Sequence, residues 1–69
     1  MQRIGVSSSN IVTIGYDTAS QTMEIEFIGG SVYQYFDIPA HIYEGLLAAG
    51  SAGQFFHAQV RGHYRYARV

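Results

Sequence analysis

The sequence predicts an α+β domain: a small three-stranded antiparallel β-meander followed by two α-helices packed on one face. Three observations carry that expectation. Gln21–Ile28 alternates, sending Met23, Ile25 and Phe27 to one face and Glu24 and Glu26 to the other. Gly29-Gly30 follows at once, a pair that tolerates the positive φ of the primed hairpin turns. Pro39 then separates this β-rich half from a segment whose apolar residues recur at helical spacing. A run of strands followed by a run of helices is the order of an α+β fold.

In chain order, Ser7-Ser8-Ser9-Asn10 is a polar turn whose side chains can bond nearby backbone. Ile11–Tyr16 is β-rich in composition and Asp17–Ser20 is the next turn. With a two-residue Gly29-Gly30 loop, the strand Ser31–Asp37 returns antiparallel to Gln21–Ile28. Phe27 then opposes Val32, Glu26 opposes Tyr33, Ile25 opposes Gln34 and Glu24 opposes Tyr35. That register puts Tyr33 and Tyr35 on the wetter face with the glutamates, and a one-residue slip reverses the assignment. Asp37 is placed to cap a helix that takes Pro39 in its first turn. This helix runs Ala40–Ala49, with Ile42, Tyr43, Leu46, Leu47 and Ala49 on one face, and Gly50 stops it. Ser51 opens a second helix as N-cap, with Gln54 three residues on as in a capping box. Phe55, Phe56, Ala58 and Val60 are its apolar side, and it ends by Arg61-Gly62. The tail His63–Val69 alternates, as a short C-terminal strand or an ordered extension does.

With 69 residues the chain is a single domain, 1–69, with its core at about 7–66. A domain this small buries only about 60% of its unfolded surface. There are no cysteines to staple it or to bind a metal as thiolates, so a homo-oligomer or a protein partner is a natural source of further burial. Charged residues are 13% of the chain, lysine is absent and the net charge is −1, so no overall basic excess announces a nucleic-acid binder. The distribution is uneven. All five acids lie in the first 44 residues, whereas from His57 onward there are three arginines and no acid. An anionic partner would meet the C-terminal end. No apolar run at the N-terminus resembles a secretory signal, and no window is long and apolar enough to span a membrane, so a cytoplasmic location is expected.

A set of ordered motifs runs through the chain: Ser8-Ser9-Asn10, Ile14-Gly15-Tyr16-Asp17, Glu24 to Phe27, Tyr33-Gln34-Tyr35, Ile38-Pro39, Ser51-Ala52-Gly53-Gln54-Phe55-Phe56, and Arg61 with Tyr64. Together they resemble the KTSC domain, a short module found at the C-terminus of some lysyl-tRNA synthetases and also free-standing. The resemblance spans roughly residues 7–66. It implies a non-enzymatic binding module, and the fusion to a tRNA-handling enzyme implies a role with RNA.

Two features carry a binding chemistry. Tyr33 and Tyr35, two apart on a strand, project from one face and can stack unpaired bases. They serve equally as core or cross-strand packing. Arg61, Arg65 and Arg68 with Tyr64 and Tyr66 form a basic-aromatic cluster suited to phosphate and base contacts, or a solvated tail paired with Glu24, Glu26 or Glu44. Tyr33, Tyr35, Arg61, Tyr64 and Arg65 are therefore the candidate RNA contacts. His41, His57 and His63 lack the spacing of a zinc helix, so they read as surface histidines and no cofactor is expected. The serines sit in no nucleophile elbow, and no small-molecule substrate or catalytic role is expected. The rival to RNA binding is protein interaction or self-assembly, with Ile11–Tyr16 as an exposed edge open to a partner strand.

Overall fold

The register of the strands decides which side chains meet the helices. In the computed structural model, which describes residues 1–6 and 8–69, the elements are β1 (Arg3–Gly5), β2 (Ile11–Asp17), β3 (Thr22–Phe27), β4 (Val32–Tyr35), α1 (Ala40–Ala48), α2 (Ala52–Gln59) and β5 (Tyr66–Arg68). The strands form an antiparallel sheet in the order β1-β2-β3-β4-β5. The fold class is as expected, but among the described residues the sheet has five strands, not three. The expected C-terminal strand is β5. The other addition, β1, is only three residues long and exposed throughout, too short for alternation to mark it. Ser7, the first residue of the expected polar turn, lies outside the described residues.

The hairpin β3–β4 departs from expectation by one residue. The Phe27 N–H donates to the Ser31 carbonyl at 2.8 Å, and the Gly30 N–H donates to the Phe27 carbonyl at 3.0 Å. The loop is therefore Ile28-Gly29-Gly30, with φ of 98° at Gly29 and 93° at Gly30. Three loop residues in place of two shift every pair: Met23 faces Tyr35, Glu24 faces Gln34, Ile25 faces Tyr33 and Glu26 faces Val32. Residues directly opposite across strands share a face. Tyr33 and Tyr35 thus lie on the inner face with Met23 and Ile25, and the glutamates lie on the outer one.

A β-bulge in β2 makes a second adjustment. Ile11 pairs with Phe27 and Thr13 with Glu26, leaving Val12 as the extra residue. Ile11 and Ile14, three apart, would otherwise point to opposite faces. With the bulge both are fully buried. The core consists of these two with Met23, Ile25, Ile38, Leu46 and Val60, all fully buried, and Tyr35, Ala52 and Phe56. At roughly 1.5–3 kcal/mol per large apolar side chain, this cluster is the main stabilising term.

The outer face carries the charge. Arg3 lies 3.3 Å from the Glu24 carboxylate and 3.5 Å from that of Glu26. Glu24 accepts from Gln34 Nε2 at 3.0 Å and Glu26 from Thr13 Oγ1 at 3.1 Å. Gly15 lies beneath this network, where a Cβ would come within 2.9 Å of Arg3 Cγ.

The helices cover the inner face. Ser51 caps α2 as expected, its Oγ accepting from the Gln54 N–H at 3.3 Å. Asp37 does not cap α1. It adopts φ of 59°, its carboxylate takes Arg65 at 3.0 Å, and Pro39 holds the N-cap position without a side-chain bond. Tyr43 of α1 stacks on Tyr16 with centroids 4.8 Å apart, and the Tyr16 hydroxyl donates to the Ile38 carbonyl. Gly45 admits the Phe55 ring between the helices, since a Cβ there would stand 2.6 Å from its Cζ. Ala58, expected on the apolar side of α2, is exposed.

Candidate functional site

The inner face is open at β4 and β5, where Tyr66 is exposed. Tyr33, Tyr35 and Tyr66 line up there, because Tyr66 pairs with Tyr35 and Arg68 with Tyr33. The rings form one cluster. Tyr66 lies 5.8 Å from Tyr33 and 5.6 Å from Tyr35, and Phe27 meets Tyr33 edge-on at 5.8 Å. Phe56 of α2 meets Tyr35 edge-on at 5.4 Å and Phe27 at 5.5 Å. These separations and tilts are those aromatic pairs prefer.

Between the rings and the C-terminal end of α2 lies a cleft of about 280 Å³. Its aromatic side is Phe27, Tyr33, Tyr35, Phe56 and Tyr66, and its polar rim is Asn10, His57 and Arg61. Exposure rises outward, from Tyr35 at 6% to Tyr66 at 62%. Burial is the chief cause that pushes the Tyr35 hydroxyl up to about 12; the neighbouring Tyr33 and Tyr66 add to it and the Arg61 guanidinium pulls the other way. Tyr35 is neutral and a hydrogen-bonding group at any ordinary pH.

Asn10 is held by a close fit. A Cβ on Gly53 of α2 would stand 2.6 Å from Asn10 Oδ1, and the same oxygen accepts from Ser8 Oγ at 3.2 Å. The polar segment before β2 and the start of α2 are thereby locked together, and the Asn10 side chain forms one wall of the cleft.

Of the five residues expected to form a site, the structure brings together Tyr33, Tyr35 and Arg61. Tyr64 is half-buried against the core and is not among the residues lining the cleft. Arg65 is turned away, paired with Asp37 and with its guanidinium 5.6 Å from the centroid of the Phe36 ring. Tyr66, named in the basic-aromatic cluster but not among the five, joins the cleft, while Phe27, Phe56, His57 and Asn10 were not singled out as lining residues. The alternation of the tail carried the signal for Tyr66, but its alignment beside Tyr35 needs the β4–β5 pairing. Glu24 and Glu26, expected beside the tyrosines, lie on the opposite face with Arg3, so no carboxylate is among the described residues lining the cleft. His41 and His63 are exposed, and no three potential metal-binding side chains converge among the described residues.

The KTSC domain model matches residues 7–64. The chain belongs to the KTSC domain family. A KTSC domain protein from Yersinia pestis has the same fold in its crystal structure, with a TM-score of 0.93 at 36% identity, covering 99% of this chain and 96% of that one. An uncharacterized protein of Stutzerimonas stutzeri is 37% identical over 70 residues, spanning 100% of this chain and 99% of its own length. A lysine–tRNA ligase of Trichormus variabilis is 41% identical over 54 residues, which are 78% of this chain but 10% of the ligase. The KTSC match takes in Asn10, Phe27, Tyr33, Tyr35, Phe56, His57 and Arg61, while Tyr66 comes from beyond it. Among the described residues of this KTSC domain, no helix is long and apolar enough to cross a membrane.

Proposed function

We propose that this KTSC domain is a non-enzymatic binding module that takes an unpaired base of RNA into the Tyr33–Tyr35–Tyr66 cleft. The observation that carries the reading is an aromatic cleft rimmed by Arg61 and His57 and by no described carboxylate. Aromatic rings stack bases at about 1–3 kcal/mol each, and an arginine beside them can take the adjoining phosphate. The exposed ring of Tyr66 offers the accessible face, Tyr33 and Tyr35 the floor. Tyr64 and Arg65 do not enter this reading. The lysine–tRNA ligases that carry a similar segment support an RNA-handling role.

The test is an amide NMR titration with a mixed single-stranded RNA oligonucleotide at low salt. Shifts confined to Tyr33–Tyr35, Tyr66 and Arg61 are expected. The variants Tyr66→Ala and Arg61→Ala alter exposed side chains and keep the fold; each is expected to weaken binding at least several-fold. An unchanged affinity in the double variant would remove RNA from the reading.

One observation favours a second reading, a protein-interaction domain. The edge expected at Ile11–Tyr16 lies inside the sheet, between β1 and β3, but β1 and β5 are themselves edges. Beside β1 a groove of about 480 Å³ is lined by Ile4, Val6, Leu46 and Leu47, with Ile4 and Leu47 exposed. Sedimentation of a dilution series separates the cases. Self-association through this edge would hold as salt rises, whereas RNA binding would weaken.

A further inference from the structure

The aromatic cleft does not end at its polar rim. Asn10 and His57 also line a second groove, of about 490 Å³, which continues over the start of α2 between Ser9, Ser51, Gly53 and Gln54. The two halves differ in chemistry. The first is a set of rings around Tyr35; the second has no aromatic residue but His57 and presents hydroxyls and amides from Ser9, Asn10, Ser51 and Gln54. Neither half has a carboxylate among its described lining residues. Four of the chain's five acids are engaged elsewhere: Glu24 and Glu26 by Arg3, Asp37 by Arg65, and Asp17 by the Ala19 N–H and the Ser20 hydroxyl of its own turn, while the fifth, Glu44, is an exposed residue of α1 that lines neither groove.

We infer that the two grooves are consecutive subsites of one path, and that its ligand is a single-stranded RNA of at least two nucleotides. This rests on the base-stacking reading above and extends it. One base stacks in the aromatic half, with Arg61 at its phosphate. The chain then passes the divide formed by Asn10 and His57, and the next ribose lies against Ser9, Ser51 and Gln54. Hydroxyl and amide groups are the partners a ribose 2′-hydroxyl needs, since it both donates and accepts. A deoxyribose leaves them unpaired. Gly53 keeps the divide where it is, because any side chain there would push the Asn10 amide out of place.

The experiment compares a nucleoside monophosphate, the matching RNA dinucleotide and the matching DNA dinucleotide by NMR titration, using the wild-type chain and Gln54→Ala. Gln54 is exposed and its side chain makes no hydrogen bond to the described residues, so the variant folds. The RNA dinucleotide is expected to bind roughly tenfold more tightly than the monophosphate and than the DNA dinucleotide, the scale of one or two added hydrogen bonds. Gln54→Ala is expected to reduce that advantage and to leave monophosphate affinity unchanged. A dinucleotide that binds no better than the monophosphate, equal affinity for RNA and DNA, or an advantage untouched by Gln54→Ala would each overturn the two-subsite path while leaving base stacking intact. A monophosphate causing no shifts around Tyr33 and Tyr66 would instead overturn the base-stacking reading itself.

Discussion

Gly53 is where sequence and geometry constrain each other most tightly. The space for its missing side chain is occupied by the Asn10 amide, 2.6 Å from the position a Cβ would take. Gly53→Ala forces Asn10 off Ser8 and opens the contact between the segment before β2 and α2. It is expected to cost about 1–3 kcal/mol, the usual range for overpacking a close fit. The check is a denaturant midpoint together with the shift of the Asn10 side-chain amide. Tyr35 offers a second prediction. Its hydroxyl is pushed up to about 12, from about 10 in an unfolded chain, so the folded state favours the neutral phenol. The stabilisation is complete below about pH 10 and is lost as pH rises through about 12, on the order of 2 kcal/mol in all. Tyr35→Phe should flatten the alkaline fall measured by chemical denaturation across that window. Tyr16, also raised and again first by burial, leaves a remaining slope.

Among the elements, β2 carries the extra residue at Val12. Ile11 and Ile14 are three apart and share the inner face only because Val12 bulges; deleting Val12 leaves them two apart in a regular strand, still on that face, with Ile11 still opposite Phe27. The expected result is a retained fold with little change in thermal midpoint; a fall as large as the roughly 1.5–3 kcal/mol carried by a buried isoleucine would contradict this register. The same element marks how far sequence reading reaches. The strand itself was legible in Ile11-Val12-Thr13-Ile14, but the bulge was not, since nothing in β-branched composition says which residue is skipped. The β3–β4 hairpin has the same limit. Gly29-Gly30 announced the turn correctly, and two- and three-residue loops are equally compatible with that pair. The choice between them reversed the faces of Tyr33 and Tyr35. Ser51 was legible because capping is local. Asp37 was not, because its partner Arg65 arrives from the far end of the chain. For the candidate site, Tyr33, Tyr35 and Arg61 could be singled out from motifs, whereas Tyr66, Phe56 and Asn10 meet them only through tertiary packing.

For the molecule as a whole, the arrangement separates charge by face. The carboxylates of Glu24 and Glu26 are balanced by Arg3 on the outer side, and the cleft on the inner side is rimmed by Arg61 and His57. A domain of net charge −1 can therefore present a locally cationic site. Its dependence on salt should be shallow: one phosphate held by Arg61 gives a slope of about −0.7 in log affinity against log salt for a single strand. Arg61→Ala should bring the slope close to zero. Fluorescence titrations at several salt concentrations would measure it, and a steep slope would point to contacts outside the cleft.

The order of the sheet also has a consequence in time. From β1 to β4, neighbours in space are neighbours in sequence, so each pairing closes a short loop. The pairing of β4 with β5 is different, because both helices intervene between Tyr35 and Tyr66. Closing that long loop carries the larger entropic cost, and such contacts tend to form late on a folding pathway. The four-stranded meander can thus assemble while the chain is still emerging. The pocket between Tyr33 and Tyr66 is completed only at the last pairing, so competence to bind lags behind acquisition of the fold.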